Sequence, residues 1–211
     1  MKCIKFFILF SFLASFSANA LLEVNIIKSK EVSFPIVIAP FEMIGDFEED
    51  VDLVEIIREN LNRSGQFDAK NTDKLINGQI NFDFYKKFKQ DAIVFGKIRK
   101  VSAKVNHVEI YVYDVLTQKP LYVNKKGFNK GSLRRIGHII SDDIYEALLG
   151  QKGSFNTRLS FVTVNEEKNG KRIYRLKISD WDGMNEQTIL KSDDPILSPA
   201  WSADQSKIAY V

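Results

Sequence analysis

The stretch from Pro199 to Val211 constrains the fold of this chain most, because it begins a repeat. Lys207-Ile-Ala-Tyr-Val211 has the same order of basic, aliphatic, small, aromatic and valine residues as Arg158-Leu-Ser-Phe-Val162. The two segments lie about 50 residues apart, and short strands repeated roughly every 40–50 residues are typical of β-propellers. A hairpin of this kind cannot bury its apolar face alone. Residues 153–211 are therefore predicted to form the first blade and the beginning of an incomplete second blade.

The first twenty residues have the pattern of a secretory signal peptide. Lys2 and Lys5 form a basic start, the run from Ile4 to Phe16 is almost wholly apolar, and Ala18-Asn19-Ala20 is a small-x-small cleavage site. The apolar run is shorter than the roughly 20 residues that span a bilayer. The only cysteine, Cys3, stands too early for a lipoprotein signal. We therefore predict a signal peptide over residues 1–20, with Ala18 and Ala20 at the cleavage site, and export to the periplasm.

The composition is that of an ordinary globular protein, with 45% hydrophobic and 27% charged residues. The formal net charge of +3 is too small to indicate a nucleic-acid or anionic-lipid partner, and loss of the signal peptide brings it closer to zero. Cleavage also removes the only cysteine, so the exported chain contains no thiol, which suits an oxidising compartment. We expect no nucleic-acid partner and no membrane insertion after the signal peptide is removed.

The middle of the chain alternates strand and helix patterns. Residues 35–41 and 91–98 are predicted as buried strands, and residues 108–112 alternate as a strand with one covered face. Helices are predicted at about residues 51–65, 82–89 and 133–149. The first helix is predicted from apolar residues that share one helical face: Val51, Val54, Ile57 and Leu61. This order predicts an α/β amino-terminal domain, a mixed sheet with a few helices, over residues 34–152.

Catalytic, cofactor and metal signals are weak, and we predict no residue in any of these roles. The chain has no Gly-x-Ser-x-Gly elbow, phosphate-binding glycine loop or His-Glu-x-x-His motif. His138 has Ser141 and Asp142 at helical-neighbour spacing, but one turn of helix fits a catalytic triad poorly, so a structural hydrogen-bonding role is predicted. Asp180-Trp-Asp-Gly183 resembles a calcium loop faintly and an Asp-Gly hairpin turn better.

Four motifs resemble the segment that connects the two domains in the TolB family: Gly137-His-Ile-Ile-Ser-Asp-Asp-Ile-Tyr-Glu146, Leu148-Leu-Gly150, Gly153 and Phe155-Asn-Thr-Arg158. Two later motifs resemble the family's first blade and the opening of its second: Ser179-Asp-Trp-Asp-Gly-Met-Asn185 and Leu197-Ser-Pro-Ala-Trp-Ser202. The resemblance covers nearly the whole chain after the signal peptide. One departure is Ser202-Ala-Asp-Gln205, where the family usually has Ser-Pro-Asp-Gly. Glutamine tolerates a positive φ less well than glycine, so a turn of a different type is expected there.

The resemblance implies a function as well as a fold. A member of this family is a non-enzymatic periplasmic adaptor of the Tol-Pal system, with an α/β domain followed by a six-bladed propeller. It links the inner-membrane protein TolA to the outer-membrane lipoprotein Pal and supports outer-membrane integrity and constriction during cell division. Pal is expected to bind mainly through the propeller, most of which lies outside this sequence, and other outer-membrane proteins are further candidate partners.

TolA is expected to bind an exposed amino-terminal arm, residues 21–33. From composition alone this segment is better interpreted as a frayed end or an edge strand. The resemblance favours a partner-binding arm, whose candidate contact residues are Leu21, Leu22, Glu23, Val24, Asn25, Ile26 and Ile27. The alternative function is a secreted serine peptidase, in which a propeller precedes a catalytic domain beyond Val211.

Overall fold

The computed structural model describes residues 33–47, 51–76 and 78–211. The predicted signal peptide, its cleavage residues Ala18 and Ala20, and the candidate arm contacts from Leu21 to Ile27 lie outside the described residues. Contacts group residues Val32–Val211 into one unit, to which all the described residues belong. None of the helices in this described part is long and apolar enough to cross a membrane.

A six-stranded mixed sheet forms the centre of the amino-terminal part. Its strands are β1 (Phe34–Ile38), β2 (Glu42–Ile44), β3 (Phe67–Asn71), β4 (Ala92–Lys100), β5 (Val105–Asp114) and β6 (Pro120–Asn129). The strand order is β3-β1-β4-β5-β6, and β2 pairs with the second half of β4. β1 runs parallel to β3 and β4, whereas β4, β5 and β6 are antiparallel neighbours.

Three helices cover this sheet: α1 (Leu53–Arg63), α2 (Phe82–Lys87) and α3 (Leu133–Leu149). Successive strand residues point to opposite faces, so Ile36 and Ile38 pack in the main core with α1 and α3, whereas Val37 packs with Tyr85 of α2. α3 has the predicted bounds, and it ends where Gly150 adopts φ 70° and donates its N–H to the carbonyl of Glu146.

The first helix differs from its prediction at its beginning. Asp52 is the N-cap, and its carboxylate accepts a hydrogen bond from the Glu55 N–H at 3.0 Å. Val51 therefore precedes the helix, and Val54 is only half-buried, whereas Ile57 and Leu61 are buried as predicted. The remaining buried positions of the helix are Leu53, Ile56 and Asn60.

A three-stranded antiparallel sheet follows: β7 (Arg158–Glu166), β8 (Arg172–Asp180) and β9 (Gln187–Ser192). A separate hairpin of β10 (Ala200–Trp201) and β11 (Ile208–Ala209) carries the second copy of the repeat. Gln205 in its turn adopts φ 55°, so glutamine takes the left-handed conformation in which glycine is favoured. Residue 205 thus has a positive φ although the family's glycine is replaced there, and the different turn type expected from the sequence stays a prediction.

Candidate functional site

Residues from three distant parts of the chain meet where the blade sheet contacts α1 and α3. We call this cluster the joint, and its members are Asn60 of α1, Arg134, His138 and Ser141 of α3, Asp180 at the end of β8, and Trp181 and Asp182 directly after it. His138 and the turn after β8 both belong to the motifs that the sequence singled out. The joint is therefore the candidate site within the described residues.

Asn60 is the hub of the joint, and it is only 1% exposed. The indole Nε1–H of Trp181 can only donate, so the atom that it meets at 3.0 Å is the Asn60 side-chain oxygen. This orientation directs Nδ2 of Asn60 to Nδ1 of His138 at 3.0 Å and to Oγ of Ser141 at 2.8 Å. A single side chain thus connects both helices to the blade.

The orientation of Asn60 settles the tautomer of His138. Nδ1 of His138 receives a hydrogen bond from an amide N–H, so it carries no proton in the neutral ring, and Nε2 carries it instead. Nε2 has no hydrogen-bond partner among the described residues, and Oδ2 of Asp180 lies 3.9 Å away. Burial lowers the pKa of His138 and outweighs the nearby carboxylates, so the ring is neutral at pH 7.

Arg134 connects α3 to the blade by charge. Its Nε lies 3.2 Å from Oδ2 of Asp180, and its Nη2 contacts Oδ2 of Asp182. Burial opposes ionisation of Asp182, but the Met184 N–H and the Arg134 guanidinium together hold the pKa of Asp182 below its usual value. Arg63, in the last turn of α1, also donates to the Asp182 carbonyl at 3.3 Å.

Asp142 fixes the segment that joins α3 to β7. Its Oδ1 accepts from the Phe155 N–H at 2.7 Å and its Oδ2 from the Asn156 N–H at 3.1 Å. The Phe155 ring then packs edge-on between Tyr145, with ring centres 5.6 Å apart, and Trp181, at 5.1 Å. The linker is thus held against α3 at the same place where the blade docks.

The arrangement does not suit catalysis. The Ser141 hydroxyl donates to the Gly137 carbonyl at 2.8 Å, and both carboxylate oxygens of Asp142 face the linker backbone. Neither side chain is placed against His138 as a nucleophile or an orienting acid would be in a triad. The hydrogen-bonding role predicted for His138 is the one that its contacts support.

The arrangement also fits a metal ion poorly. His138, Asp180 and Asp182 each have one potential ligand atom within 4.8 Å of the others. A metal-binding imidazole nitrogen must be unprotonated, whereas Nε2 of His138 carries the ring proton. Arg134 already occupies the facing carboxylate oxygens. The Asp180–Gly183 segment is a tight turn, in which the Gly183 N–H donates to the Asp180 carbonyl at 3.0 Å.

Asn60 and Arg134 were not predicted as site residues from the sequence. A signal for Asn60 was present, because it is a polar residue on the buried face of α1 beside Ile57 and Leu61. Buried polar side chains need partners, so such a position marks a contact outside the helix. Arg134 carried no comparable signal, since an arginine in the first turn of a helix is usually solvated.

The comparisons with known proteins agree with the motifs. The chain matches the TolB amino-terminal domain over residues 22–121 and the TolB β-propeller domain over residues 145–211. It is 51% identical to the Tol-Pal system protein TolB of Ruthia magnifica over 92% of this chain and 46% of the relative. The corresponding protein of Vesicomyosocius okutanii is 48% identical over 91% of this chain and 45% of the relative.

A solved structure supports the same assignment. TolB from Acinetobacter baumannii superposes with a TM-score of 0.72 and is 36% identical, covering 84% of this chain and 43% of that protein. The chain spans about half the length of the curated relatives that it matches. The predicted fold class, an α/β domain followed by the first part of a β-propeller, is confirmed. The chain belongs to the TolB family of the Tol-Pal system.

Proposed function

We propose that this protein is a non-enzymatic periplasmic adaptor that links TolA at the inner membrane to Pal at the outer membrane. In that position it supports outer-membrane integrity and constriction during cell division. The observation that carries this proposal is family membership over 92% of the chain, at 51% identity to a Tol-Pal system protein TolB. Export depends on the signal peptide over residues 1–20, removed between Ala20 and Leu21.

The two partners use different parts of the chain in this proposal. The arm, residues 21–33, binds TolA, with Val24, Ile26 and Ile27 as its main apolar contacts. An extended arm of this kind can add a strand to the edge of a partner's sheet, where backbone hydrogen bonds provide affinity. The α/β domain, residues 34–152, carries the arm, and the propeller that begins at residue 153 binds Pal and other outer-membrane proteins.

The joint supports an adaptor function in a physical way. A protein that connects two membranes transmits force or orientation only if its domains hold a defined relation. Here the buried amide of Asn60, an arginine that bridges two carboxylates, and an edge-on aromatic contact attach the blade to α1 and α3. We therefore assign the joint a mechanical role between the TolA-binding and Pal-binding parts.

Titration calorimetry with the carboxy-terminal domain of TolA tests the proposal. Deletion of residues 21–33, or replacement of Val24, Ile26 and Ile27 by serine, is expected to weaken binding at least about tenfold, because the apolar contacts are lost. The matched control replaces Lys28 and Lys30 by serine in the same arm and is expected to bind as the unchanged protein does. Mass spectrometry of the exported protein verifies that it begins at Leu21. Equal affinity with and without the arm would refute the assigned role.

A further inference from the structure

The environment of His138 is specific for a neutral ring. The ring is only 3% exposed, Nδ1 accepts from Asn60, and the same Asn60 amide accepts from Trp181 through its oxygen. We propose that His138 is a proton-sensitive element of the joint: protonation at Nδ1 forces the Asn60 amide out of its orientation and releases Trp181, so the blade loosens from α1 and α3 as the pH falls.

The first step is a conflict between donors. Nε2 already carries the ring proton, so the proton that charges His138 arrives at Nδ1. Nδ1–H then faces Nδ2 of Asn60 across a distance of 3.0 Å, and both groups are donors. This contact changes from a hydrogen bond into a repulsive pair.

The second step is the loss of the hydrogen bond between Asn60 and Trp181 of the blade. A flip of the Asn60 amide places its oxygen against the charged His138 ring but turns its Nδ2 toward the Trp181 indole N–H. Since the indole can only donate, the flipped amide leaves Trp181 facing a second donor. Ser141 can reorient its hydroxyl toward the flipped oxygen only by leaving the Gly137 carbonyl. Neither orientation satisfies every group once His138 is charged.

Some of the charged groups around His138 favour its protonated form and others oppose it. Burial and the Arg134 guanidinium on the same helix oppose the charged ring, whereas Asp182, Asp180 and Asp142 favour it. The element α1 contributes the uncharged Asn60 at this position. The ring also borders a cleft of about 370 Å³ whose charged lining residues are Arg134, Arg135, Arg158 and Asp180. Besides Arg134, this cleft therefore brings two further cations, Arg135 and Arg158, which also disfavour a charged ring.

The direction of the pH effect follows from these contacts. The pKa of His138 in the docked joint lies below its ordinary value of 6.5, with burial as the largest cause. The undocked ring therefore takes up a proton first as the pH falls. The contribution of His138 to docking is complete above about pH 6.5 and decreases progressively below it, until the docked ring is itself protonated.

The experiment follows the Trp181 indole N–H of the intact, 15N-labelled protein by NMR. Hydrogen exchange of this group, corrected for intrinsic exchange, is expected to accelerate several-fold, and by at most about tenfold, between about pH 7.5 and about pH 5.5. The same spectra report which ring nitrogen of neutral His138 carries the proton, and Nε2 is the expected answer. A proton on Nδ1 would overturn the proposal.

Two variants separate this mechanism from general acid sensitivity. In His138→Asn the amide oxygen takes the place of Nδ1 as an acceptor that does not titrate, so the pH dependence is expected to disappear. The other histidine of the chain provides the control, because His107→Asn on β5 leaves the joint unchanged and should keep the wild-type profile. Identical profiles for the unchanged protein and His138→Asn would overturn the proposal.

The Asn60→Asp variant keeps the proposal testable if His138→Asn fails to fold. A carboxylate accepts from both the charged His138 ring and the Trp181 indole, so the pH dependence is expected to reverse, with slower exchange toward about pH 5.5. A pH dependence that keeps the wild-type direction would contradict the proposed coupling of His138 to Trp181 through residue 60. None of these measurements requires TolA or Pal, so their outcome is independent of the proposed adaptor function.

Discussion

Replacing Asn60 by alanine removes the hub of the joint without changing the surface of the protein. The side chain is 1% exposed and makes three hydrogen bonds, to His138, Ser141 and Trp181. Asn60→Ala leaves Nδ1 of His138 without a donor and takes one of the two bonds of the Ser141 hydroxyl. His138 and Ser141 lie on α3 and Trp181 lies in the turn after β8, so the substitution removes contacts between residues that are distant in sequence.

The magnitude follows from the burial of the abandoned groups. A buried polar group that loses its partner costs about 1–3 kcal/mol. His138 and Ser141 are almost wholly buried, whereas the Trp181 indole is only partly buried and regains water. We therefore expect Asn60→Ala to lower the free energy of unfolding by about 2–4 kcal/mol. This is a large part of the 5–15 kcal/mol or so that is typical of a domain.

Urea denaturation followed by the far-ultraviolet circular dichroism measures this loss. The Trp181→Phe background isolates the bond to the blade, because the Asn60→Ala cost should fall there by about 1 kcal/mol. Asn62→Ala is the matched control on the same helix, since the Asn62 side chain bonds to the backbone of Ala69 in β3 and not to the joint within the part of the chain that the structure describes, so it should show no coupling to Trp181. A cost of Asn60→Ala below about 1 kcal/mol, or equal costs in both backgrounds, would refute the reasoning.

Two further substitutions test local packing. The Cβ atom in Gly153→Ala would lie 2.4 Å from Oδ1 and 2.8 Å from Cα of Asp142, so we expect the free energy of unfolding, measured by thermal denaturation, to fall by about 1–3 kcal/mol. Gly78→Ala is the control, because its Cβ meets nothing within 4 Å. Equal stability of the two variants would count against tight packing at Gly153. Gln205→Gly relieves a residue at φ 55° and should stabilise the β10–β11 hairpin by about 0.5–1 kcal/mol, seen as slower amide exchange at Lys207; faster exchange would contradict the strain.

Much of the fold could be predicted because its signals are local. The apolar stripe of α3 and the glycine after it predicted the helix over residues 133–149, which are the observed bounds. Strict alternation predicted the covered face of β5, where Val108, Ile110 and Val112 are fully buried. These patterns depend only on the period of the backbone, so they can be recognised without knowing which other elements pack against the segment.

Two strands escaped prediction for a physical reason. β2 has three residues, and β3, Phe67-Asp-Ala-Lys-Asn71, carries three polar side chains. Neither has enough apolar residues for a period to be visible. Each becomes a strand because an existing strand offers unpaired backbone groups: β4 for β2 and β1 for β3.

The sequence by itself determined the family, the repeat and the order of helices and strands, because those features are written in motifs and periodicities that neighbouring residues share. The tertiary structure alone decided the joint. Asn60 is separated by 78 residues from His138 and by 121 from Trp181, and nothing local relates them. Only their approach in space makes Trp181 orient the Asn60 amide, the amide select the tautomer of His138, and a polar residue on an apolar helix face become the attachment point of the blade.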